Sequence, residues 1–264
     1  MPELAEVFWY AKQWDAGQGR RIRAVDLHPR KRVFRGCDTS ALHDALLGTS
    51  LKKAHTHGKQ MLFEFTGSHW LAVHLGMTGS LETKREPFEP GKHDHLVLHT
   101  REAALVFEDP RQFGAIRYYH DKGFPDFWKK LPPQPTDKAF TAVLVAKTLN
   151  RHARVPLKAL LLDQRYFPGI GNWMADEILW QAKLPPHLLS GDATGKQARD
   201  VWRLTQKISA ASLRIIGKDW SDPPKSWLML HRWEDGGKCP RCGTLLKRET
   251  VRGRTACWCP KCQK

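Results

Sequence analysis

Met61-Leu62-Phe63-Glu64-Phe65 and Leu71-Ala72-Val73-His74-Leu75 are two short apolar runs separated by a turn at Gly67. Their length and alternation predict β-strands, which the turn at Gly67 separates. Similar short runs continue to Tyr119: Leu96-Val97-Leu98, Ala104-Leu105-Val106-Phe107 and Ala115-Ile116-Arg117-Tyr118-Tyr119. The region from Arg21 to Tyr119 is therefore predicted to form a mostly antiparallel β-sandwich or flattened barrel.

Helices are predicted before, within and after this region. One should run from Glu3 to Ala16, and another from Ser40 to Leu47. The segment Leu131-Pro132-Pro133-Gln134-Pro135 continues neither a helix nor a central strand, so it predicts a stiff connector. Four helices are predicted beyond it: Phe140 to Leu149, Pro156 to Gln164, Asn172 to Ala182, and Gly195 to Ile216. The predicted class is α+β, with a flanking helix on the β-sandwich and a helical second domain.

The charge balance narrows the choice of partner. The 264 residues include 43 Lys and Arg but only 27 Asp and Glu, a formal net charge of +16. This excess favours a polyanion, with nucleic acid ahead of a merely solvated basic surface. No apolar run approaches the roughly 18–20 residues of a membrane span, and the first residues do not form a signal peptide. We expect a soluble, intracellular protein.

The cysteines predict a metal site. Five of the six cysteines lie in the last 26 residues, and four form two Cys-Pro-x-Cys pairs: Cys239, Cys242, Cys259 and Cys262. Four thiolates at this spacing suit one structural Zn²⁺ in a β-hairpin. A redox-active thiol pair would not explain the repeated motif. Cys257 is predicted to be a bystander.

A second motif runs from Leu160 through Phe167-Pro168-Gly169-Ile170-Gly171 to Asn172. It predicts two apolar helices joined by a glycine-containing turn. Free backbone N–H groups at the start of the second helix, beside the Asn172 amide, suit a phosphate. The alternative is an ordinary helix N-cap at Asn172.

The amino terminus, Met1-Pro2-Glu3-Leu4-Ala5-Glu6, offers a nucleophile. A small second residue permits removal of Met1, which would free the ring nitrogen of Pro2. An α-amino group has an ordinary pKa of about 7.7–8.0, so part of it is neutral at physiological pH. Such an amine can attack a sugar carbon and form a Schiff base, with Glu3 and Glu6 as proton carriers beside it.

Together these motifs resemble one family. The opening Pro-Glu-Leu-x-Glu-Val, the stretch His74-Leu-Gly-Met-Thr-Gly-Ser80, Asp109-Pro-Arg-Gln-Phe-Gly114, the glycine turn before Asn172 and the terminal cysteine module occur in this order. Over nearly the whole chain, the sequence resembles the formamidopyrimidine-DNA glycosylase and endonuclease VIII family of base-excision repair enzymes. It is closer to formamidopyrimidine-DNA glycosylase.

The resemblance implies a bifunctional enzyme. Pro2 would attack C1′ of the damaged nucleotide, expel an oxidised purine-type base and cleave the abasic site by β,δ-elimination. Glu3 would assist opening of the sugar ring, and Glu6 would order the site. Lys59 would contact the phosphates around the damaged sugar, although a lysine entering a strand is more often only solvated. Glu177 resembles an acidic residue near the floor of the active site.

The resemblance also implies how duplex DNA with a damaged base or an abasic site is held. Removing a nucleotide from the stack leaves a hole, and Met77, Arg111 and Phe113 match the residues that fill it. Without the resemblance, Met77 and Phe113 would be taken as core residues. Three further residues match phosphate-binding positions: Lys158, Asn172 and Arg254.

The implied organisation is a catalytic β-sandwich domain (1–130), a linker (131–137), a helix–two-turn–helix DNA-binding domain (138–230) and a zinc-finger β-hairpin (231–264). We expect a monomer in the bacterial cytoplasm, associated with the nucleoid and independent of membranes.

Three features depart from the family pattern. Ala5 replaces a common proline, Gln112 stands where a second arginine is common, and the segment Gly217 to His231 is unlike the usual glycine-rich loop that caps 8-oxoguanine. Three alternatives stay open: an endonuclease VIII-like enzyme for oxidised pyrimidines, a catalytically silent binder of damaged DNA, and a zinc-ribbon regulator of transcription.

Overall fold

The computed structural model describes residues 1–264, which form two compact units. The first unit contains Met1–Pro2 and Glu6–Leu131, and the second contains Glu3–Ala5 and Pro132–Lys264. The first helix, α1 (Leu4–Lys12), therefore begins in the second unit and belongs to the first unit from Glu6 onward. No helix combines the length and apolar character that crossing a membrane requires.

The first unit is an antiparallel β-sandwich, as the sequence predicts. Its eight strands are β1 (Ala24–Leu27), β2 (Leu51–His57), β3 (Gln60–Phe65), β4 (His69–His74), β5 (Ser80–Arg85), β6 (Asp94–His99), β7 (Ala103–Glu108) and β8 (Ala115–His120). They form two four-stranded sheets, in the orders β1-β6-β7-β5 and β2-β3-β4-β8. Two short helices accompany them, α2 (Thr39–Leu46) and α3 (Asp126–Lys129).

One apolar core joins the two sheets. Met61, Phe63 and Phe65 alternate along β3 and are fully buried in it, together with Leu98 and Phe107 from the other sheet. The period of two in β3 thus places these three side chains on the inner face of its sheet. Leu62 lies on the opposite face, in a smaller cluster with Trp70.

The second unit is built on four helices: α4 (Ala142–Arg151), α5 (Leu157–Leu161), α6 (Asn172–Ala182) and α7 (Gly195–Asp219). The apolar residues of α7 recur every three or four positions, and Val201, Leu204 and Ile208 pack into the shared core. Thr194 caps α7 with a reciprocal bond to Gln197.

A β-hairpin closes the chain. Strands β9 (Lys247–Val251) and β10 (Arg254–Trp258) pair antiparallel around a two-residue turn, Arg252-Gly253. Both turn residues have positive φ, 49° and 77°, as a tight hairpin of this kind requires. The hairpin carries the cysteine pairs next to its ends.

Candidate active site and DNA-binding surfaces

The carboxylate of Glu3 caps helix α6. It is buried and accepts the backbone N–H groups of Gly171 at 2.9 Å, Trp173 at 2.9 Å and Met174 at 3.1 Å. A helix N-terminus presents unpaired N–H donors and a positive dipole end, which together favour a carboxylate. A Cβ on Gly171 would lie only 2.2 Å from Glu3 Cδ, so only glycine allows this approach.

This contact corrects two sequence predictions. Three of the N–H groups at the helix start that was predicted to face a phosphate donate to Glu3 instead. The alternative, an N-cap at Asn172, is also wrong, because the capping residue is Gly171 and no side chain of the turn caps the helix. Sequence reasoning missed the capping role of Glu3 because 168 residues separate it from Gly171.

The residue next to Glu3 is Pro2, the predicted nucleophile. Met1 is still attached in this structure, so the Pro2 nitrogen belongs to a peptide bond. The ammonium of Lys59 is nearly buried and lies 3.9 Å from the sulfur of Met1. The first unit therefore places Lys59 beside the amino terminus, while Glu6 lies in the first turn of α1.

A second group of predicted residues meets at two turns of the first unit. We call Asp109–Gly114 the wedge loop. Its Arg111 guanidinium stacks over the Phe113 ring, 4.7 Å from the ring centroid. Met77 and Phe113 are exposed, by 41% and 42%, which excludes the core role that they would be given without the family resemblance.

Asp109 and Gly76 hold these two turns together. The buried Asp109 carboxylate accepts the Thr78 hydroxyl at 2.8 Å and the Gly114 N–H at 2.7 Å. A Cβ on Gly76 would lie 2.3 Å from the Phe113 carbonyl carbon, so a larger residue would push the two turns apart. Met77 thus lies between two residues that contact the wedge loop.

Lys158 and Asp176 form a buried ion pair in the second unit. Both side chains are inaccessible to solvent, and Lys158 Nζ lies 2.6 Å from Asp176 Oδ1 and 2.6 Å from the Asn172 carbonyl oxygen. The other carboxylate oxygen of Asp176 accepts Arg232 and the Cys257 N–H. Burial lowers the pKa of Lys158, and Asp176 opposes that effect.

These contacts face protein groups, so direct phosphate contact by Lys158 stays a prediction. The same holds for Asn172, whose side-chain oxygen is buried without a hydrogen-bond partner, and for Arg254, which is exposed at the start of β10. Glu177 is buried as well. It accepts Gln181 Nε2 at 2.7 Å and the Met229 N–H at 3.0 Å, and burial raises its pKa to about 7.

The four predicted cysteines form one metal site. The sulfur atoms of Cys239, Cys242, Cys259 and Cys262 all lie within 4.8 Å of one another. Individual Sγ–Sγ distances are 3.5 to 4.0 Å. Zinc–sulfur bonds of about 2.3 Å in a tetrahedron place sulfurs about 3.8 Å apart, so the set fits Zn²⁺. Cys257 lies outside it.

Comparisons with known proteins agree with this geometry. Three family models match in order: the formamidopyrimidine-DNA glycosylase N-terminal domain over residues 1–116, the formamidopyrimidine-DNA glycosylase H2TH domain over 131–221, and the zinc finger found in FPG and IleRS over 236–264. The formamidopyrimidine-DNA glycosylases of Solibacter usitatus and Thermus thermophilus are 31% and 32% identical. The alignments cover all of this chain and 100% and 98% of those proteins. The chain belongs to the formamidopyrimidine-DNA glycosylase family.

Solved structures extend the likeness to three dimensions. A Lactococcus lactis formamidopyrimidine-DNA glycosylase in complex with DNA containing an oxidised pyrimidine has a TM-score of 0.89 and 27% identity, over the full length of both chains. The same enzyme non-covalently bound to DNA with an abasic site has a TM-score of 0.87 and 26% identity, over 99% of both chains. As a member of this family, the protein is a DNA glycosylase and abasic-site lyase with a zinc finger.

In this glycosylase, two residues that lie beside predicted site residues had no signal that sequence reasoning used. His74, in β4, accepts the Gly76 N–H at its Nδ1 (3.0 Å), and its pKa is lowered by burial and by nearby Lys59. It therefore links the lysine beside the amino terminus to the turn that carries Met77. Asp176 was also missed, although its position four residues after Asn172 places it on the first turns of α6.

Proposed function

We propose that this glycosylase removes an oxidised, purine-type base from duplex DNA through the Pro2 nitrogen. Once Met1 is removed, the amine attacks C1′, the N-glycosidic bond breaks, and the electron pair leaves with the base. The C1′–O4′ bond then breaks, O4′ receives a proton, and the ring-opened sugar is held as a Schiff base between C1′ and the Pro2 nitrogen. β-Elimination breaks the bond from C3′ to its phosphate oxygen, and δ-elimination breaks the corresponding bond at C5′.

The anchoring of Glu3 is the observation that supports this proposal most. Three backbone N–H groups hold its carboxylate. Because consecutive Cα atoms are about 3.8 Å apart, fixing Glu3 also limits where Pro2 can lie. We assign Glu3 to ring opening and departure of the base, and Glu6 to ordering the site. Lys59 is assigned to the phosphates around the damaged sugar.

The DNA-binding roles follow the two turns of the first unit. We assign Met77 and Phe113 to filling the space left by the extruded nucleotide, and Arg111 to hydrogen-bonding the orphaned base. Their exposure and the rigid link through Asp109 support this assignment, since an exposed apolar side chain on a braced loop is available to enter a base stack. Asn172, Lys158 and Arg254 are assigned to phosphates.

We assign residues 1–130 to catalysis, 138–230 to DNA binding and 231–264 to the zinc finger, with 131–137 as linker. We also propose that the enzyme works in the bacterial cytoplasm on nucleoid DNA. These assignments rest on the family and on the basic charge of the chain.

Borohydride trapping tests the chemistry. An oligonucleotide with one abasic site should form a covalent adduct with the mature protein when borohydride reduces the Schiff base. Adding one residue before Pro2 acylates its nitrogen and should abolish the adduct. Pro2→Gly is the matched control, because glycine also offers an amine. Full trapping by the extended chain would show that another group is the nucleophile.

A second candidate substrate is an oxidised pyrimidine. Residues 218–235, after the buried Gly217 of α7, contain no glycine, so the usual glycine-rich cap over 8-oxoguanine is missing from this place. A panel of duplexes, each with one lesion, separates the candidates. Faster single-turnover release of 8-oxoguanine or formamidopyrimidine supports the purine proposal, whereas faster release of an oxidised pyrimidine contradicts it.

A further inference from the structure

A cluster of cations lies beside the wedge loop in the first unit. It consists of the segment His28–Arg32 together with Lys92, and we call it the basic ledge. Five of its six residues line a cavity of about 370 Å³: His28, Pro29, Arg30, Lys31 and Lys92. Arg30, Arg32 and Lys92 are exposed, and Lys31 is half-buried.

The basic ledge is attached to the wedge loop through Arg32. Its backbone N–H donates to the Gln112 side-chain oxygen at 3.0 Å. Its guanidinium lies over the Phe113 ring, 5.8 Å from the centroid, and Arg111 approaches the same ring at 4.7 Å. Gln112 brings no charge of its own, but it holds a cation from a distant segment next to Phe113.

A pair of histidines makes a second attachment. His95 is buried, and its Nε2 lies 3.0 Å from the Asp109 carbonyl oxygen, so that nitrogen must carry the donated hydrogen. Its Nδ1 then accepts a hydrogen from His28 Nδ1 at 3.3 Å. The backbone N–H of His28 also donates to the His95 carbonyl at 3.0 Å. The ledge and the wedge loop are thus held in a fixed arrangement.

The charge of the ledge is not neutralised. None of Arg30, Lys31, Arg32 and Lys92 forms an ion pair. The nearby Asp109 is buried and bonded within its own loop, and Asp94 accepts the Gly91 N–H. Adjacent like charges without counter-charges raise the energy of the isolated protein, and a phosphodiester chain would lower it.

We propose that the basic ledge binds backbone phosphates of the strand opposite the lesion. Arg32 is the member nearest the base stack, because it shares the Phe113 ring with Arg111. The proposal rests on the proposed function, in which Phe113 and Arg111 meet the orphaned base. It adds a phosphate-binding surface that fixes how far the wedge loop enters the duplex.

The test uses the full-length, zinc-loaded protein and a duplex with a tetrahydrofuran abasic analogue. The triple variant Arg30→Gln/Lys31→Gln/Arg32→Gln is compared with a charge-matched control on α7, Arg199→Gln/Lys207→Gln/Arg214→Gln. Fluorescence anisotropy gives Kd at several salt concentrations. Each phosphate contact contributes about 0.9 to the slope of log K against log salt, so the ledge variant should have a slope shallower by about 2–3.

The affinity of the ledge variant should fall roughly tenfold or more at moderate salt, and the α7 control should change far less. Lys92→Gln, in a separate segment, should shift the slope by about 1 in the same direction. Equal shifts in the ledge variant and the α7 control would overturn the proposal, since only total charge would then matter.

Neutral methylphosphonates identify the strand. Placed opposite the lesion, they should weaken binding of the wild type but cause little further loss in the ledge variant. If only methylphosphonates in the damaged strand weaken the wild type, the proposal is wrong. Borohydride trapping tests the proposed function independently of the basic ledge. If the mature protein formed no adduct but its binding still depended on the ledge, the chemistry at Pro2 would be contradicted and the phosphate-binding role of the ledge would not.

Discussion

Replacing Asp176 with alanine should destabilise the second unit strongly. Its carboxylate lies 2.6 Å from Lys158 Nζ and 2.6 Å from an Arg232 nitrogen, and both cations are nearly inaccessible to solvent. Removing the anion leaves two buried positive charges without a counter-charge. Breaking one buried pair costs about 3–5 kcal/mol, so we expect a loss of about 4 kcal/mol. At about 2–4 °C per kcal/mol, the Tm should fall by roughly 10 °C.

Urea unfolding followed by tryptophan fluorescence, at constant free zinc, measures this loss. Asp200→Ala is the matched control, because Asp200 pairs with the exposed Lys196 and Arg203 at 3.8 and 3.0 Å. Such surface pairs contribute about 0–1 kcal/mol. If the two variants lost equal stability, the buried network would not have the role that its burial implies.

Three further outcomes are expected. Burial raises the pKa of Glu177 from 4.5 to about 7, so its contribution to stability is complete below pH 4.5 and is lost as the pH rises to 7. The loss should amount to about 3 kcal/mol, and unfolding curves of Glu177→Gln should lack this part of the pH dependence. Met77→Ala and Phe113→Ala should change the free energy of unfolding by about 0.5 kcal/mol or less, because both side chains are exposed, yet slow base excision in single-turnover assays. Chelating zinc, or replacing Cys239 with serine, should unfold the terminal hairpin and weaken duplex binding. Circular dichroism would record the unfolding, and fluorescence anisotropy would record the weaker binding. Unchanged binding would contradict a role for the zinc finger in holding DNA.

The apolar strands and helices could be predicted because their patterns are strong. Helix α6 begins and ends at the predicted residues, Asn172 and Ala182. Strands β1, β2 and β5 were not predicted individually, because β1 is only four residues long and β2 and β5 consist mainly of polar and charged residues. A strand such as Leu51–His57, with only its first residue fully buried, lacks the alternation on which such predictions depend.

The first helix shows another limit of local patterns. Its sequence stays helix-compatible to Ala16, but α1 ends at Lys12. Trp14 is fully buried, and its indole N–H lies 3.3 Å from the Val106 carbonyl oxygen. Burial of this large ring against a strand 92 residues away outweighs the small helix propensity of the intervening residues. Such a contact leaves no local signal in the sequence.

In the candidate site too, features with a local sequence pattern could be predicted, and features that depend on distant contacts could not. The cysteines were predictable because the zinc chemistry fixes their spacing, whereas the role of Glu3 depends on a helix that begins at residue 172. The sequence predicted a phosphate of the DNA at the start of α6. The anion found there is the carboxylate of Glu3, from the amino terminus of the chain itself. Glu3 therefore serves the fold as a cap and, as proposed, the reaction as an acid. Replacing Glu3 would change both the cap of α6 and the proposed acid. For Glu3→Gln, the single-turnover excision rate must therefore be measured together with the free energy of unfolding, so that a loss of catalysis is distinguished from a loss of folded protein.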